Sequence, residues 1–81
     1  MKHDNRKIIL EAEQLFKEQK DDEVIDRLAS ICQEKVPWKV NLLYVRALYR
    51  NGQAVRAYQE ALPYEEDYLT KELAFWIKLL L

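Results

Sequence analysis

Few side chains in this sequence have the type and spacing that catalysis or metal binding needs. The single histidine, His3, stands two residues from the N-terminus, which we expect to be frayed, so we do not expect it to act as a general base or a metal ligand. The single cysteine, Cys32, lies in an apolar stripe, which favours a packed and unreactive thiol. No second soft ligand stands at metal-binding spacing, and one glycine cannot build a phosphate-binding loop. We therefore expect no catalytic, cofactor-binding or metal site, and no enzyme.

Composition and charge exclude several other classes of protein. The 81 residues suffice for one domain, and 49% of them are hydrophobic while 33% are charged, which is a globular composition. The net charge is −1 with the two signs interspersed, so we expect neither a nucleic-acid partner nor a membrane surface. The N-terminus has no signal-peptide core, and the most apolar stretch, 73–81, is too short to span a bilayer. We expect a soluble, cytoplasmic, single domain over residues 1–81.

The elements that carry these residues are helices. One glycine and two prolines leave few signals for strands, and apolar residues recur at helical spacing between the breaks. Because the connections are short, consecutive helices should lie antiparallel, as hairpins over 4–35 and 37–62 followed by a C-terminal helix over 65–81. The individual helices are predicted over residues 4–19, 23–35, 37–51, 53–62 and 65–81.

The predicted helix ends follow from local chemistry. Asp4 or Asn5 is placed to cap the first helix, and the pair Asp21-Asp22 is expected to form a turn and cap the second. Pro37 suits the first turn of the third helix. The sharpest turn is predicted at Asn51-Gly52, since either residue tolerates a positive φ.

A weak internal repeat relates the two hairpins. An aromatic residue precedes the turn in each, Phe16 in the first and Tyr49 in the second. The helix that follows each turn carries apolar residues at spacings of four and three. At an offset of 30 residues these are Val24, Leu28 and Ile31, matched with Ala54, Tyr58 and Ala61.

The second hairpin carries the clearer pattern. The segment from Gly52 to Leu62 resembles the second helix of a tetratricopeptide repeat, with Ala-x3-aromatic-x2-Ala, whereas the first-helix pattern of that family is absent from both hairpins. We therefore expect an all-α fold of antiparallel helical hairpins, stacked as about two tetratricopeptide-like repeats plus a C-terminal helix. The alternative is an irregular helical bundle.

The third helix is apolar nearly all the way round, whereas a surface helix needs roughly one stripe. One interpretation is a central helix covered by its neighbours on both sides. The other is that one face packs in the core while another lines a binding groove. The groove side is then predicted near Lys39, Leu42, Arg46 and Tyr49, with Leu10 at the corresponding position of the first helix.

The C-terminal helix has more apolar residues than one buried face can hold. Glu65, Glu66 and Asp67 suit its N-terminal dipole, and the chain ends in three leucines where a repeat stack normally has a polar cap. We expect Phe75, Trp76 and Leu79 to contact a partner, or else to be covered by further residues of a longer chain. The helix shows one stripe of Leu69, Leu73, Trp76 and Leu80 and another of Tyr68, Phe75 and Leu79.

The stretch from Asp22 to Leu81 is similar to the small tetratricopeptide-like co-chaperones of bacterial type III secretion needle subunits. The shared features are an acidic start before Val24-Ile25, the run from Val45 to Gln53, the helix from Ala57 to Leu62, and Trp76 in an acidic, aromatic segment. The resemblance implies a hetero-oligomer that keeps a needle subunit unpolymerised, together with a second small helical co-chaperone. It also implies helix-in-groove binding of an amphipathic client helix.

Two other classes of protein remain open from the sequence. One is a structural adaptor of helical-repeat type, self-associated or embedded in a larger assembly. The other is a regulatory module that recognises short peptides, which would need more lysines and arginines on one face than the sequence locates.

Overall fold

The computed structural model describes the backbone of residues 5–64 and 68–80, and the side chains of residues 5–64 and 71–79. Within these ranges the chain forms five α-helices and no strand, so the all-α fold class is confirmed. The helices are α1 (Arg6–Lys17), α2 (Asp21–Ala29), α3 (Trp38–Arg50), α4 (Ala54–Ala61) and α5 (Tyr68–Leu80).

The central element of the fold is α3. It contacts all four other helices, and each helix also packs against the next along the chain. Seven of its thirteen residues are buried, which accounts for its apolar character on nearly every side. Contact with the neighbouring helices therefore accounts for most of the apolar residues of α3. The core around it contains Ala12, Val24, Ile25, Leu28, Val40, Tyr44, Val45, Ala47, Leu48, Ala57, Ala61, Ala74 and Ile77.

The turns after α1 and α3 have the same hydrogen-bond pattern. The N–H of Lys20 donates to the carbonyl of Leu15 at 2.9 Å, and the N–H of Gln53 donates to the carbonyl of Leu48 at the same distance. One residue in each turn has positive φ, Gln19 at 62° and Gly52 at 85°. Both are Schellman-type helix ends, which satisfy carbonyls left over at the helix terminus.

These turns lie 33 residues apart along the chain, which differs from the predicted offset of 30. At a spacing of 33, Val24 corresponds to Ala57 and Leu28 to Ala61, and all four side chains are fully buried. The 30-residue offset matched apolar spacings within the helices, whereas the shared turn geometry sets the correspondence in the structure. The two turns are thus similar in backbone conformation.

Two predicted helix starts differ from the structure. The N-cap of α2 is Lys20 rather than the Asp21-Asp22 pair, which lies inside the helix, because the turn ends at Gln19. Pro37 is the N-cap of α3, and its carbonyl accepts hydrogen bonds from the N–H groups of Val40 and Asn41. Asn5 occupies the N-cap position of α1 without a side-chain hydrogen bond, and Asp4 and the acidic residues 65–67 lie outside the described residues.

The predicted second and fourth helices each end in a short 3-10 turn, at Ile31–Gln33 and Leu62–Tyr64. The first of these shortens the predicted helix 23–35, since α2 ends at Ala29 and Glu34 after the turn is extended, with φ of −107° and ψ of 166°. The connection between α2 and α3 is also held by a residue far along the chain, since the N–H of Val36 donates to Tyr64 Oη at 2.9 Å.

The two related turns make a matched prediction about stability. Replacing Gln19 by glycine should raise the free energy of unfolding by about 1 kcal/mol, because a non-glycine residue at positive φ is strained. Gly52→Ala should lower it by a similar amount, although no atom stands within 4 Å of the added Cβ. Urea unfolding followed by circular dichroism measures both. Equal effects of the same sign would contradict the assignment of the turns.

Candidate functional site

A cleft of about 400 Å³ lies between α1 and α3. It runs along the side of α3 that holds Trp38, Leu42 and Arg46, which recur at every fourth position and so share one face. Apolar side chains and charged side chains both line it. The residues are Phe16, Trp38, Leu42 and Leu43 with Glu13, Lys17, Lys39 and Arg46.

The apolar part of the cleft joins the protein core. Leu42 is only 7% exposed, and Phe16 and Leu43 are half-buried and pack against the core cluster. Trp38 is half-buried at the start of α3, with the ammonium of Lys39 5.6 Å from its ring centroid. The cleft therefore has an apolar floor that is fixed by packing, and its charged side chains stand around this floor.

The predicted groove residues separate into two groups. Lys39, Leu42 and Arg46 line the cleft. Tyr49 is instead half-buried against the core, and Leu10 is 65% exposed on α1 and does not line the cleft. Leu10 was predicted as the position on the first helix that corresponds to the groove. At the 33-residue spacing of the two turns, the residue that corresponds to Leu42 is Ile9.

Sequence reasoning missed Phe16, Lys17 and Trp38 as cleft residues. Phe16 was assigned only to the repeat pattern, and Trp38 was not singled out among the apolar residues of the third helix. A signal was present in the sequence, because Glu13, Phe16 and Lys17 recur at helical spacing on α1. To assign these residues to a cleft, one must also know how α1 lies against α3, and the spacing of residues within one helix does not give this.

Arg50 fixes the helices that form the cleft. Its Nε donates to both carboxylate oxygens of Asp21 at 2.8 Å, and its Nη2 donates to the carbonyl of Phe16 at 2.7 Å. The guanidinium also lies 3.9 Å from the centroid of the Phe16 ring. This arrangement connects the end of α3 to the end of α1 and the start of α2. The Asp21 carboxylate, predicted as a cap, serves instead as the partner of a distant arginine.

A second apolar surface lies on α5. Phe75, Trp76 and Leu79 are 57%, 55% and 60% exposed, while Ala74 and Ile77 on the same helix are buried. The rings of Phe75 and Trp76 meet edge to face, with centroids 5.9 Å apart and planes at 77°. We call Phe75, Trp76 and Leu79 the α5 patch. It brings together three side chains that the sequence proposed for partner binding.

The predicted stripes of α5 need one correction. Leu73 and Trp76 were assigned to the same stripe, but Leu73 packs against the core whereas Trp76 is exposed. The inward face is formed by Leu73, Ala74 and Ile77, and the small side chain of Ala74 lets the helix approach the core. The side chains of Tyr68, Leu69, Leu80 and Leu81 lie outside the described residues.

A polar group is buried where α3 meets α4. Asn41 is 1% exposed, and its Nδ2 donates to the carbonyl of Glu60 at 3.0 Å, in the last turn of α4. Its Oδ1 has no donor among the described residues. Nearby, Arg56 Nη2 donates to Tyr44 Oη at 2.7 Å, while burial raises the pKa of Tyr44. These contacts attach α4 to α3.

Cys32 is half-buried and packs against the core. Burial, with a smaller effect of the negative charge of Glu60, raises the pKa of the thiol from its usual value of 9.0 to about 11. The reactive thiolate is therefore a very small fraction at neutral pH. Within the described residues no three His, Cys, Asp or Glu side chains gather as metal ligands, and His3 lies outside them.

This pKa predicts slow thiol chemistry. At pH 8 the reaction of Cys32 with iodoacetamide should be about 100-fold slower in the folded protein than in urea, since each unit of pKa is a tenfold change in thiolate. Because the folded pKa is raised, the thiol's contribution to stability is present below pH 9 and lost as the pH rises to about 11. Mass spectrometry of the alkylated protein measures the rate, and equal rates in the two states would contradict the assignment.

No protein-family model, curated protein or solved structure matches this chain. The class of protein is therefore defined by the fold alone: a small all-α protein of helical hairpins packed around one central helix. In the described ranges, no helix has the length and apolar character required to cross a membrane.

Proposed function

We propose that this protein binds another polypeptide through the α5 patch and the cleft between α1 and α3. The observation that carries the proposal is the α5 patch, in which three large apolar side chains lie side by side and more than half exposed. Each is already partly buried, and forgoes about 1–2 kcal/mol of further burial while it remains in water. Contiguous apolar surface of this kind is typical of a binding surface rather than of an ordinary exterior.

The client that we propose is a needle subunit of bacterial type III secretion, held in the cytoplasm together with a second small helical co-chaperone. The support is the resemblance over residues 22–81, which includes the acidic start of α2 and the turn at Asn51-Gly52. Binding is of the helix-in-groove type, in which a client helix presents apolar residues at i, i+3, i+4 and i+7. The half-buried Trp38 and Leu43, beside the more deeply buried Leu42, contribute apolar contact. Arg46 contributes a polar contact that sets the register.

The second candidate function is a structural adaptor, in which a further copy or a larger assembly covers the α5 patch. The same exposed residues support it, since an apolar patch serves self-association as well as client binding. Analytical ultracentrifugation separates the two. A self-associated adaptor gains mass with its own concentration, whereas a chaperone gains mass only when the needle subunit and co-chaperone are added.

The test is a substitution in the α5 patch. Trp76→Ser should weaken a complex with a co-expressed needle subunit by about tenfold or more, since exposed aromatic anchors dominate interfaces of this kind. The melting temperature of the free protein should stay nearly unchanged, because Trp76 is already 55% exposed. Calorimetric titration measures the affinity.

The matched control is Val55→Ser, which removes an apolar side chain of similar exposure, 59%, from α4. It should leave the affinity unaltered. Equal weakening by both substitutions, or a lower melting temperature with no loss of affinity in Trp76→Ser, would overturn the role of the patch. Absence of any complex with the needle subunit and co-chaperone would overturn the proposed client.

A further inference from the structure

We infer that the cleft between α1 and α3 docks an acidic segment of the bound polypeptide, in which a large apolar side chain is flanked by carboxylates. This inference rests on the proposed function, because it names the chemistry of the segment that one of the two surfaces receives. The sequence alone did not locate enough cations on one face for such recognition. The structure brings three of them to one cleft: Lys17, Lys39 and Arg46.

The charge of the cleft carries the inference. Its three cations face a single carboxylate, Glu13, so the cleft has an excess of two positive charges in a protein whose net charge is −1. The ion pairs of the described residues use other groups, such as Arg27 with Glu11 and Arg50 with Asp21. None of the three cations of the cleft forms an ion pair within the described residues, and cations without such a pair are complementary to an acidic partner.

The floor of the cleft specifies the rest of the ligand. Phe16, Trp38, Leu42 and Leu43 form an apolar surface that charged side chains surround. A volume of about 400 Å³ is at the lower end of the range for ligand sites, and suits one or two large side chains. The occupant is therefore a short segment with a leucine or aromatic residue inserted into the cleft and with carboxylates placed against the surrounding cations.

Fluorescence of Trp38 reports binding in this cleft directly. The chain has two tryptophans, so Trp76→Phe leaves Trp38 as the single reporter. The probes are three synthetic peptides of equal length. The first has a leucine and a phenylalanine flanked by aspartates and glutamates, the second has lysines in place of the acids, and the third has serines in place of the two apolar residues.

Two double variants test the charges. Lys39→Glu with Arg46→Glu reverses two cations of the cleft, and Lys7→Glu with Lys71→Glu makes the same change of net charge on exposed residues that do not line it. We expect the acidic apolar peptide to bind the cleft variant at least about tenfold more weakly than the parent, and the control variant within about twofold. Its affinity should also fall as salt is raised from about 50 to about 500 mM.

Several results would overturn the inference: failure of the acidic apolar peptide to bind at about 1 mM, equal binding of the lysine or serine peptide, or equal loss of affinity in both double variants.

Two other occupants of the cleft would each give a different experimental result. A stronger Trp38 response to vesicles of phosphatidylserine than to the peptide would assign the cleft to a membrane surface. Mass that grows with protein concentration, and does so less in the cleft variant, would assign it to a second copy, whose own Glu65-Glu66-Asp67-Tyr68-Leu69 has similar chemistry.

The failure of this inference is distinguishable from the failure of the proposed function. If the needle subunit binds through the α5 patch while the peptides do not bind the cleft, only the cleft assignment falls. If the acidic peptide binds the cleft while no complex with the needle subunit forms, the proposed client falls and the cleft assignment stands.

Discussion

Asn41→Asp is expected to lower the free energy of unfolding by about 3–5 kcal/mol at pH 7, the usual loss when a buried charge has no partner. Asn41 is 1% exposed, and its amide nitrogen donates to the carbonyl of Glu60. The aspartate has nearly the same shape but no donor when ionised, and its charge would face that carbonyl oxygen. For 81 residues, total stability is on the order of 4–12 kcal/mol, so the loss is a large part of it.

The effect of Asn41→Asp should depend on pH with a definite sign. Burial raises the pKa of a carboxyl group in the folded state above its unfolded value of about 3.9. The destabilisation is therefore smallest well below pH 4, where both states are protonated and the hydroxyl can donate to the Glu60 carbonyl. It grows as the pH rises through the interval between the unfolded and folded pKa values.

Urea unfolding at pH 4 and pH 7 measures this difference. Asn51→Asp makes the same chemical change at the exposed C-cap of α3, where the helix dipole should limit the loss to about 1 kcal/mol at pH 7 and to less at pH 4. A similar loss in both variants, or a loss in Asn41→Asp that does not diminish at low pH, would show that Asn41 is not buried against α4.

Leu48→Ala is expected to lower the free energy of unfolding by about 2–5 kcal/mol, the range measured for buried leucines. Leu48 is fully buried on α3, the helix that contacts all the others. Removing its side chain leaves a cavity that the surrounding helices cannot all close at once. Small domains have few other contacts in reserve, so the variant should unfold at a much lower urea concentration.

Leu10→Ala is the matched control for the core substitution. Leu10 is 65% exposed on α1, and its loss should change stability by no more than about 0.5 kcal/mol. Denaturant titration of both variants at one temperature gives the comparison. Losses of equal size would contradict the packing of α3 at the centre of the fold.

Local chemistry predicted most of the secondary structure. Helical spacing of apolar residues gave five helices, and the few breaks separated them at positions close to those observed. The turn at Asn51-Gly52 was predicted because glycine tolerates positive φ, and Gly52 indeed has φ of 85°. The equivalent turn at Gln19 was not predicted in this form, because nothing in the residue type announces a positive φ there.

The α5 patch was predicted from the sequence more completely than the cleft between α1 and α3. Phe75, Trp76 and Leu79 were named from the excess of apolar residues on one helix, and all three are exposed. The cleft was predicted in part: Lys39, Leu42 and Arg46 line it, whereas Leu10 and Tyr49 do not. An excess of apolar residues is a count and can be read from one segment, but a cleft depends on how two helices face each other.

Helix content, the approximate positions of the breaks and the excess of apolar residues on the C-terminal helix follow from the amino-acid sequence, since they depend on residues that are close together in the chain. Which residues contact each other follows from the packing of the helices. It placed the Asp21 carboxylate against Arg50, set the hairpin correspondence at 33 residues, and gathered Lys17, Lys39 and Arg46 around one apolar cleft. These contacts join residues that are far apart in the chain, so they form only when the other helices pack around α3.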